Sequence, residues 1–514
     1  MRRSSSLLTA ALWLIFVLTC SPSLIAQASD RAADNSSIAD AHPSEVMATV
    51  DRLVEQNREL EKQNQALMEQ IQSLRRIVSG QPVKPSEMAE TYTAATPTPS
   101  PSNSTPQESS ASDSNEAPSK WGTYTPNLGY KLANTDRGDL SVSIYSYARY
   151  LNQLGLDPHY TDAFGNVKNV QQRQDFQLQK VQIKFLGWML DPKLRYFLYA
   201  WSANTSQGLG AQVVLAGNLN YNFNKMFSVG AGIRSLPGTR SVEGNFPFWL
   251  GVDSRLMADE FFRPSYTSGV WASGQLGDHL EYIAMIGNNL STLGVSAAQL
   301  DNGFNTVSTS LVWKPTGDYG LGFGDFEGHE KPVSRLGFHF TRSDETTQSQ
   351  PNSEEFENTQ LRLSDGSIIF APTLFGPGIT ITKARYQMIS MDGGLKYRGL
   401  SLEGEYYLRW LNNFHGPGTS GLPGLFDHGF QAQTSIMVIP KLLQIYLGGS
   451  TIFGQYGNPW DFRSGLNYFP FKNKIVRWNT EFLFLNGSPV GYTAVPYPVG
   501  GSGPVFHTSW ELAF

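Results

Sequence analysis

Oppositely charged side chains gather in one stretch of this 514-residue chain, residues 237–265. Large aromatic residues separate the charges, and the set comprises Arg240, Glu243, Phe246, Phe248, Trp249, Asp253, Arg255, Asp259, Glu260, Phe261, Phe262 and Arg263. Opposed charges can form a polarised constriction for ions, while the aromatic residues would hold such a segment against a wall. We predict Arg240 in the constriction, with Arg255 and Arg263 on the positive side and Asp253 and Asp259 on the negative side. The alternative is an outward loop whose charges are simply solvated.

Paired carboxylates could instead serve acid–base catalysis, and the candidates are Asp253, Asp259 and Glu260, or Glu403 with Glu405. However, the chain has no zinc motif, phosphate-binding loop, GxSxG sequence or triad spacing. Its eight histidines lack paired metal spacing, and no helical pattern follows the glycine-rich stretch 320–328. We therefore expect no catalytic residues, no metal, no cofactor and no enzymatic activity.

Composition favours a β-rich protein with many turns. Charged residues make up 16% of the chain, whereas an average soluble protein has about 25%. Aromatic residues make up 12%, and the chain contains 49 glycines, which suits a membrane barrel with aromatic girdles. The net charge of −5 excludes a broadly basic nucleic-acid-binding protein.

The N-terminus predicts export. Arg2 and Arg3 precede an apolar run from Leu7 to Leu18, and Ala26-Gln27-Ala28 forms a cleavage site, so residues 1–28 are predicted to be a signal peptide. A transmembrane anchor is the alternative, but the apolar run is shorter than the ~20 residues that span a membrane. Cleavage after Ala28 would remove the single cysteine, Cys20.

Two segments precede the main domain. Residues 44–79 contain apolar positions that alternate in steps of four and three, with Asn57 and Asn64 on the same seam. This heptad pattern predicts an α-helical coiled coil that joins copies of the chain, and a single amphipathic helix on its own domain is the alternative. Residues 80–120 are rich in Pro, Ser and Thr and predict a disordered linker.

Residues 121–514 predict a barrel. About sixteen segments alternate apolar and polar residues, from 140–151 to 504–514, and short turns alternate with long connections between them. Short turns at one end and long loops at the other are typical of an antiparallel transmembrane β-barrel. A closed barrel is also the only non-helical structure that satisfies its backbone in lipid.

Alternation along these strands predicts which side chains face inward. In 400–410 the residues Leu402, Leu408 and Trp410 oppose Glu403 and Glu405. Because side chains cannot fill a large barrel, the polar set should line water and the apolar set should face lipid. The predicted inward basic residues are Arg149, Lys180, Lys184, Arg234, Arg335, Lys396, Arg409, Arg463 and Arg477. The predicted inward acidic residues are Glu281, Glu403, Glu405, Asp461, Glu481 and Glu511. A shift of one residue in register would exchange the faces.

The last strand and one internal stretch carry a resemblance. The chain ends in FHTSWELAF, whose alternating residues Phe506, Trp510, Leu512 and Phe514 look like the assembly signal that insertion machinery recognises in outer-membrane porins. The stretch 227–288, a strand, a long loop and a following strand pair ending in Gly287-Asn288, resembles the phosphate-selective porin O and P family. Members of that family are typically trimers of sixteen-stranded barrels whose third loop folds into the pore, and some carry an N-terminal coiled coil.

The resemblance implies a water-filled channel for passive diffusion of small hydrophilic solutes, with small inorganic anions such as phosphate as candidates. Its location would be the outer membrane of a Gram-negative-type bacterium, with the N-terminal stalk in the periplasm. The expected partners are outer-membrane lipid, the barrel-assembly machinery and further copies of the chain, with peptidoglycan as a further candidate. The alternatives are a structural tether between the barrel and the cell wall, or a secreted soluble β-domain.

Overall fold

The structure, a computed structural model, describes residues 124–125, 128–203, 212–242, 248–291, 303–348, 361–491 and 494–514. The predicted signal peptide (1–28), coiled coil (44–79) and linker (80–120) lie outside these residues. Within the described ranges, no helix has both the length and the apolar character needed to cross a membrane.

Nearly all regular structure in the described ranges is β. Two short strands, β1 (Tyr124–Thr125) and β2 (Gly129–Thr135), pair at the start, and a small hairpin of β4 (His159–Thr161) and β5 (Val167–Asn169) lies in one connection. A 3-10 turn spans Arg240–Val242, and a short helix, α1, spans Met257–Phe262. The barrel strands are β3 (Gly138–Asn152), β6 (Gln174–Met189), β7 (Asp191–Ala203), β8 (Gln212–Asn224), β9 (Phe227–Ser235), β10 (Tyr266–Leu276), β11 (Leu280–Asn288), β12 (Thr306–Trp313), β13 (Val333–Thr346), β14 (Lys383–Tyr397), β15 (Leu400–His415), β16 (Leu425–Ile439), β17 (Leu443–Phe453), β18 (Trp460–Tyr468), β19 (Val476–Asn486) and β20 (Gly503–Ala513).

The sheet closes on itself. Each barrel strand pairs antiparallel with the next, and β20 pairs with β3 from Phe506↔Asn152 to Ala513↔Tyr145. The start of β3 extends beyond β20 and pairs there with β2, while the Phe514 amide donates to the Ile144 carbonyl at 2.9 Å. Closure leaves no barrel edge unpaired, as a strand structure in lipid requires. The prediction of about sixteen antiparallel strands is confirmed.

The two ends of the barrel differ. At the end that carries β2 and the C-terminus, here the turn end, the connections are 136–137, 190, 225–226, 277–279, 398–399, 440–442, 469–475 and the longer 314–332. At the opposite end, here the loop end, they are 153–173, 204–211, 236–265, 289–305, 347–382, 416–424, 454–459 and 487–502. Several tight turns place a non-glycine residue in the left-handed region, such as Leu190 (φ 68°) and Lys441 (φ 58°).

The outer face of the barrel is apolar. Side chains such as Leu402 (46% exposed) and Phe430 (45%) point outward, whereas their neighbours Ser401 and Gln431 are buried inside. A soluble β-domain would do the opposite, because it gains stability by burying its apolar face. The outward side chains therefore form the band that a lipid-embedded barrel presents to hydrocarbon.

The C-terminal residue offers a test of assembly. The Phe514 ring lies 5.8 Å from that of Tyr130, and Ser143 donates to the Phe514 carbonyl at 2.6 Å. If machinery in the cell recognises this residue, Phe514→Ala should lower the folded, heat-modifiable fraction in membranes several-fold, while refolding of the purified chain in detergent changes little. Phe462→Ala, which removes an outward aromatic residue of β18 (46% exposed), is the matched control. Equal loss in the two variants would contradict a signal role.

Candidate constriction and channel wall

The described parts of the connection between β9 and β10, residues 236–242 and 248–265, fold into the barrel. We call this connection the constriction loop. It runs along the inner faces of β13 to β19: His339 lies 3.2 Å from the Pro237 carbonyl, Ser390 donates to the Gly238 carbonyl at 2.9 Å, and α1 packs against β16, β17 and β18. A hydroxyl of the wall, that of Ser450, accepts the Ala258 amide at 2.9 Å.

Aromatic contacts hold the end of the loop to the wall. The Phe262 ring stacks on Tyr407 with centroids 5.0 Å apart, and the Arg409 guanidinium lies 3.9 Å from the centroid of Phe261. Tyr386 donates its hydroxyl to the Phe262 carbonyl at 2.5 Å. Both π-stacking and cation–π contacts gain strength where water is excluded, so this end of the loop is firmly seated.

Basic residues of the wall bind the loop backbone. Arg463 donates to the Ser254 hydroxyl at 3.0 Å and to the Arg255 carbonyl at 2.7 Å, while Arg477 donates to the Trp249 carbonyl at 2.7 Å. Each arginine also pairs with wall carboxylates, Arg463 with Asp461 and Arg477 with Glu511. Because each arginine has several donors, it can also hydrogen-bond loop carbonyls that would otherwise be buried without a partner.

Arg240 joins three parts of the chain. Its Nε donates to Glu403 of β15 at 2.9 Å, and its backbone amide donates to Glu405 at 3.0 Å. Its guanidinium also donates to the Gly322 carbonyl at 3.2 Å, which connects the constriction loop to the turn-end connection 314–332. Because Arg240 is 1% exposed, these bonds replace its contacts with water.

A compact ionic cluster lies around α1. Glu260 lies between two arginines, 2.9 Å from Arg255 and 2.8 Å from Arg263, and Ser241 donates to Asp259 at 3.0 Å. Burial alone would raise the pKa of Glu260, but Arg263 and Arg255 outweigh burial and lower it to about 2. For Asp259, burial prevails over Arg255 and raises the pKa to about 6.

Asp253 lies apart from this cluster. Its carboxylate is 2.7 Å from the Lys180 ammonium of β6 and accepts the Tyr147 hydroxyl of β3 at 2.9 Å. All five predicted constriction residues therefore lie in the loop inside the barrel, but they are buried and paired. Each of these charged side chains contacts a counterion or a hydroxyl, because an unpaired charge inside a protein is costly. This differs from the expected opposition of charges across an opening, and a constricting role for these residues stays a prediction.

The nine predicted inward basic residues divide into two groups. The buried group has polar contacts on the wall or loops and comprises Arg149, Lys180, Arg335, Lys396, Arg409, Arg463 and Arg477. For example, Arg409 pairs with Asp427 at 2.7 Å, Arg149 donates to the Ala494 carbonyl at 2.6 Å, and Lys396 donates to the Tyr319 carbonyl at 2.9 Å. Lys184 and Arg234 form the second group and are half-buried.

Inward polar side chains that keep some solvent exposure are concentrated on one side of the interior. We define the channel wall as the inward faces of β6 to β11 that carry Lys184, Arg195, Asn218, Asn220, Asn222, Arg234, Trp271 and Glu281. Trp271 donates to the Asn220 amide oxygen at 3.0 Å, and Arg234 lies 5.0 Å from the Trp271 ring. Glu281 is paired with Lys314 at 2.8 Å.

Sequence reasoning missed two residues of this wall. Arg195 pairs across strands with Trp188 and Asn220, which places it on the inward face. Its inward neighbours along β7 are Phe197, Tyr199 and Trp201, so alternation alone marked that face as apolar. Trp271 was missed for the same reason, since an inward aromatic residue is identified only by its partner Asn220.

The residues that the structure describes contain no group of three or more His, Cys, Asp or Glu side chains that could hold a metal ion.

Comparisons with known proteins give matches among solved structures. No family model and no curated protein matches the chain. Among solved structures, OmpT of Vibrio cholerae, expressed in the outer membrane, is 11% identical, with a TM-score of 0.46 over 74% of this chain and 99% of that one. The outer-membrane channel DcaP of Acinetobacter baumannii is 7% identical, with a TM-score of 0.45 over 74% and 99% of the two chains. OccAB1 of Acinetobacter baumannii is 9% identical, with a TM-score of 0.36 over 73% and 96%.

The hydroxyl of Tyr386 tests how the loop is held. Tyr386→Phe leaves the Phe262 carbonyl without this donor in a buried position, so we expect the free energy of unfolding to fall by about 1–3 kcal/mol. Urea unfolding in detergent micelles measures the change. Tyr468→Phe, at an exposed tyrosine of β18, should change it by less than about 0.5 kcal/mol. Equal effects in the two variants would show that the Tyr386 bond does not hold the loop.

The connection 314–332 has its own pH dependence. Asp325 lies 2.5 Å from the His329 ring, and this hydrogen bond raises the pKa of His329 although partial burial opposes it. Protonated His329 should therefore stabilise the fold below about pH 6.5, and this stabilisation should be lost as the pH rises through the raised pKa. A histidine NMR titration, assigned with His329→Gln, measures that pKa.

The matching stability experiment compares urea midpoints across the same pH range. The urea midpoint of the unmodified protein should fall as the pH rises through the pKa of His329. This fall should be absent in His329→Gln and present in His159→Gln, which changes an exposed histidine of the loop end. A pKa of His329 at or below about 6.5 would contradict the assignment.

Proposed function

We propose that the chain forms a channel in the outer membrane through which small hydrophilic solutes diffuse passively, with a preference for anions. The observation that carries the proposal is the unequal interior of the barrel. The constriction loop covers the inner faces of β13 to β19, where charges are buried in pairs. The polar groups that keep some solvent exposure lie on the channel wall opposite, which leaves a path along β6 to β11.

The charge of that path favours anions. Lys184, Arg195 and Arg234 lie on the channel wall, where Glu281 is paired with Lys314. Basic side chains along a pore lower the energy of a passing anion and raise that of a cation. The paired arginines of the opposite side contribute less, because their fields are largely cancelled by adjacent carboxylates.

A location in the outer membrane follows from the outer face. The barrel is closed, its outward side chains are apolar, and tight turns and long loops separate to opposite ends. These features support a lipid-embedded barrel over a secreted soluble domain. A trimer and a preference for phosphate are the finer parts of the proposal, and they rest on the family resemblance. A tether to the cell wall could coexist with the channel, and we propose no catalytic activity.

Reversal potential in a planar bilayer tests the channel. Purified protein in a gradient of potassium chloride should give single channels whose zero-current voltage shifts toward the anion. A null or cation-side shift would overturn the anion preference and leave a general channel. Protein that is folded by heat-modifiability on a gel but forms no channels would overturn the function. Inorganic phosphate added to one side should reduce the chloride current if phosphate binds in the path, and no reduction would overturn the phosphate preference.

Variants locate the selectivity. A unit charge about 7 Å away changes the energies of an anion and of a cation by about 0.6 kcal/mol each in water, with opposite signs, so Lys184→Gln and Arg234→Gln should each lower the anion-to-cation permeability ratio about seven-fold. The control pair Arg342→Gln and Lys383→Gln removes equal charge from outward positions of β13 and β14. Loss of selectivity in the control variants alone would place the selectivity outside the channel wall.

A further inference from the structure

Exposed basic residues recur at the turn end of the barrel. We call the set the turn-end cations: Arg137, Lys193, Lys225, Lys331, Arg398, Lys441 and Lys472. Three of them occupy left-handed positions of tight turns, Arg398 at φ 48°, Lys441 at φ 58° and Lys472 at φ 55°. Glycine or asparagine would be the usual residue there, so a basic residue has been kept at some conformational cost.

Acidic residues balance only part of this charge. Among the described residues, three of the five exposed acids at the turn end, Asp318, Glu327 and Glu330, lie on the connection 314–332, and Glu327 pairs there with Lys474 at 2.6 Å. The exposed acids on the other described turns are Asp136 and Asp278. The short turns are therefore net positive.

The cations adjoin the apolar band. Lys225 precedes the exposed Met226 and Phe227, and Lys472 follows Phe471, which is 67% exposed. A basic residue beside an exposed apolar one is the arrangement that suits the boundary between hydrocarbon and headgroups, where the alkyl stem lies in the apolar layer and the charge reaches the polar one.

The distribution of the cations identifies the partner. Barrel strands follow one another in sequence order, so turns taken along the chain are also spread around the circumference. Six of the turn-end cations lie on the connections after β2, β8, β12, β14, β16 and β18, and Lys193 lies near the start of β7, so the set surrounds the barrel. A protein partner would cover one side, whereas lipid contacts the whole circumference. We propose that the turn-end cations bind anionic phospholipid headgroups of the leaflet at the turn end. The inference rests on the membrane location proposed above.

Quenching by brominated lipids tests this proposal. The full-length protein is reconstituted in brominated phosphatidylglycerol, brominated phosphatidylcholine and mixtures of the two. Trp313 and Trp478 are exposed on the outer face near the turn end and report the adjacent lipid. We expect phosphatidylglycerol to bind about two- to five-fold more strongly than phosphatidylcholine, since each basic residue near an anionic surface adds attraction. The preference should vanish at about 1 M salt, where the Debye length is about 3 Å.

Variants separate this inference from the channel itself. Lys441→Gln with Lys472→Gln should reduce the preference for phosphatidylglycerol, whereas Arg342→Gln with Lys383→Gln, near the loop end, should keep it. Equal quenching by the two lipids, or a preference that the turn-end variant leaves unchanged, would overturn the inference and leave the membrane barrel intact. Absence of quenching by either lipid would instead overturn the membrane location.

Discussion

The width of a sixteen-stranded barrel is the constraint on which the rest of the structure depends. Side chains from such a wall cannot meet in the middle, so the interior must hold water, loops or both. The constriction loop fills part of this space, and its backbone then needs partners. The wall supplies them through Ser390, Ser450, Arg463 and Arg477. Inward polar residues thus serve two needs, since they satisfy a buried loop on one side and contact water on the other.

The sequence predicted the strands of the barrel wall better than the contacts of the loop inside the barrel. Strand alternation depends on a period of two and on turn residues, which are local properties, and it predicted sixteen strands and the inward faces of Arg409 and Arg477. The contacts of the loop are not local. Arg463 binds Ser254 across 209 positions and Arg240 binds Glu403 across 163, and no spacing in the sequence indicates either pair. Individual charges were therefore placed in the interior, while their partners required the fold.

Unequal filling gives the interior an electrostatic polarity that composition hides. The chain as a whole is net negative at −5, and the inward charges of both signs are numerous. Pairing decides which of them matter to a mobile ion. Arg409 with Asp427 acts at a distance as a dipole, whereas Arg234, beside Trp271, has no counterion among the residues that the structure describes. The field that an ion meets in the pore therefore depends on the charges that remain uncompensated. A count of all lumenal charges would misjudge it.

The pairing of β3 with β20, the seam of the barrel, also determines when the barrel can close. Tyr145 donates to Glu511 across 366 positions, and Ser143 donates to the Phe514 carbonyl across 371. Contacts of such high contact order form late, because the intervening chain must first be ordered. Until the last strand is available, β3 and β19 each keep an unpaired edge that can template aggregation. A chain with this seam therefore depends on being held unfolded until β20 has been made.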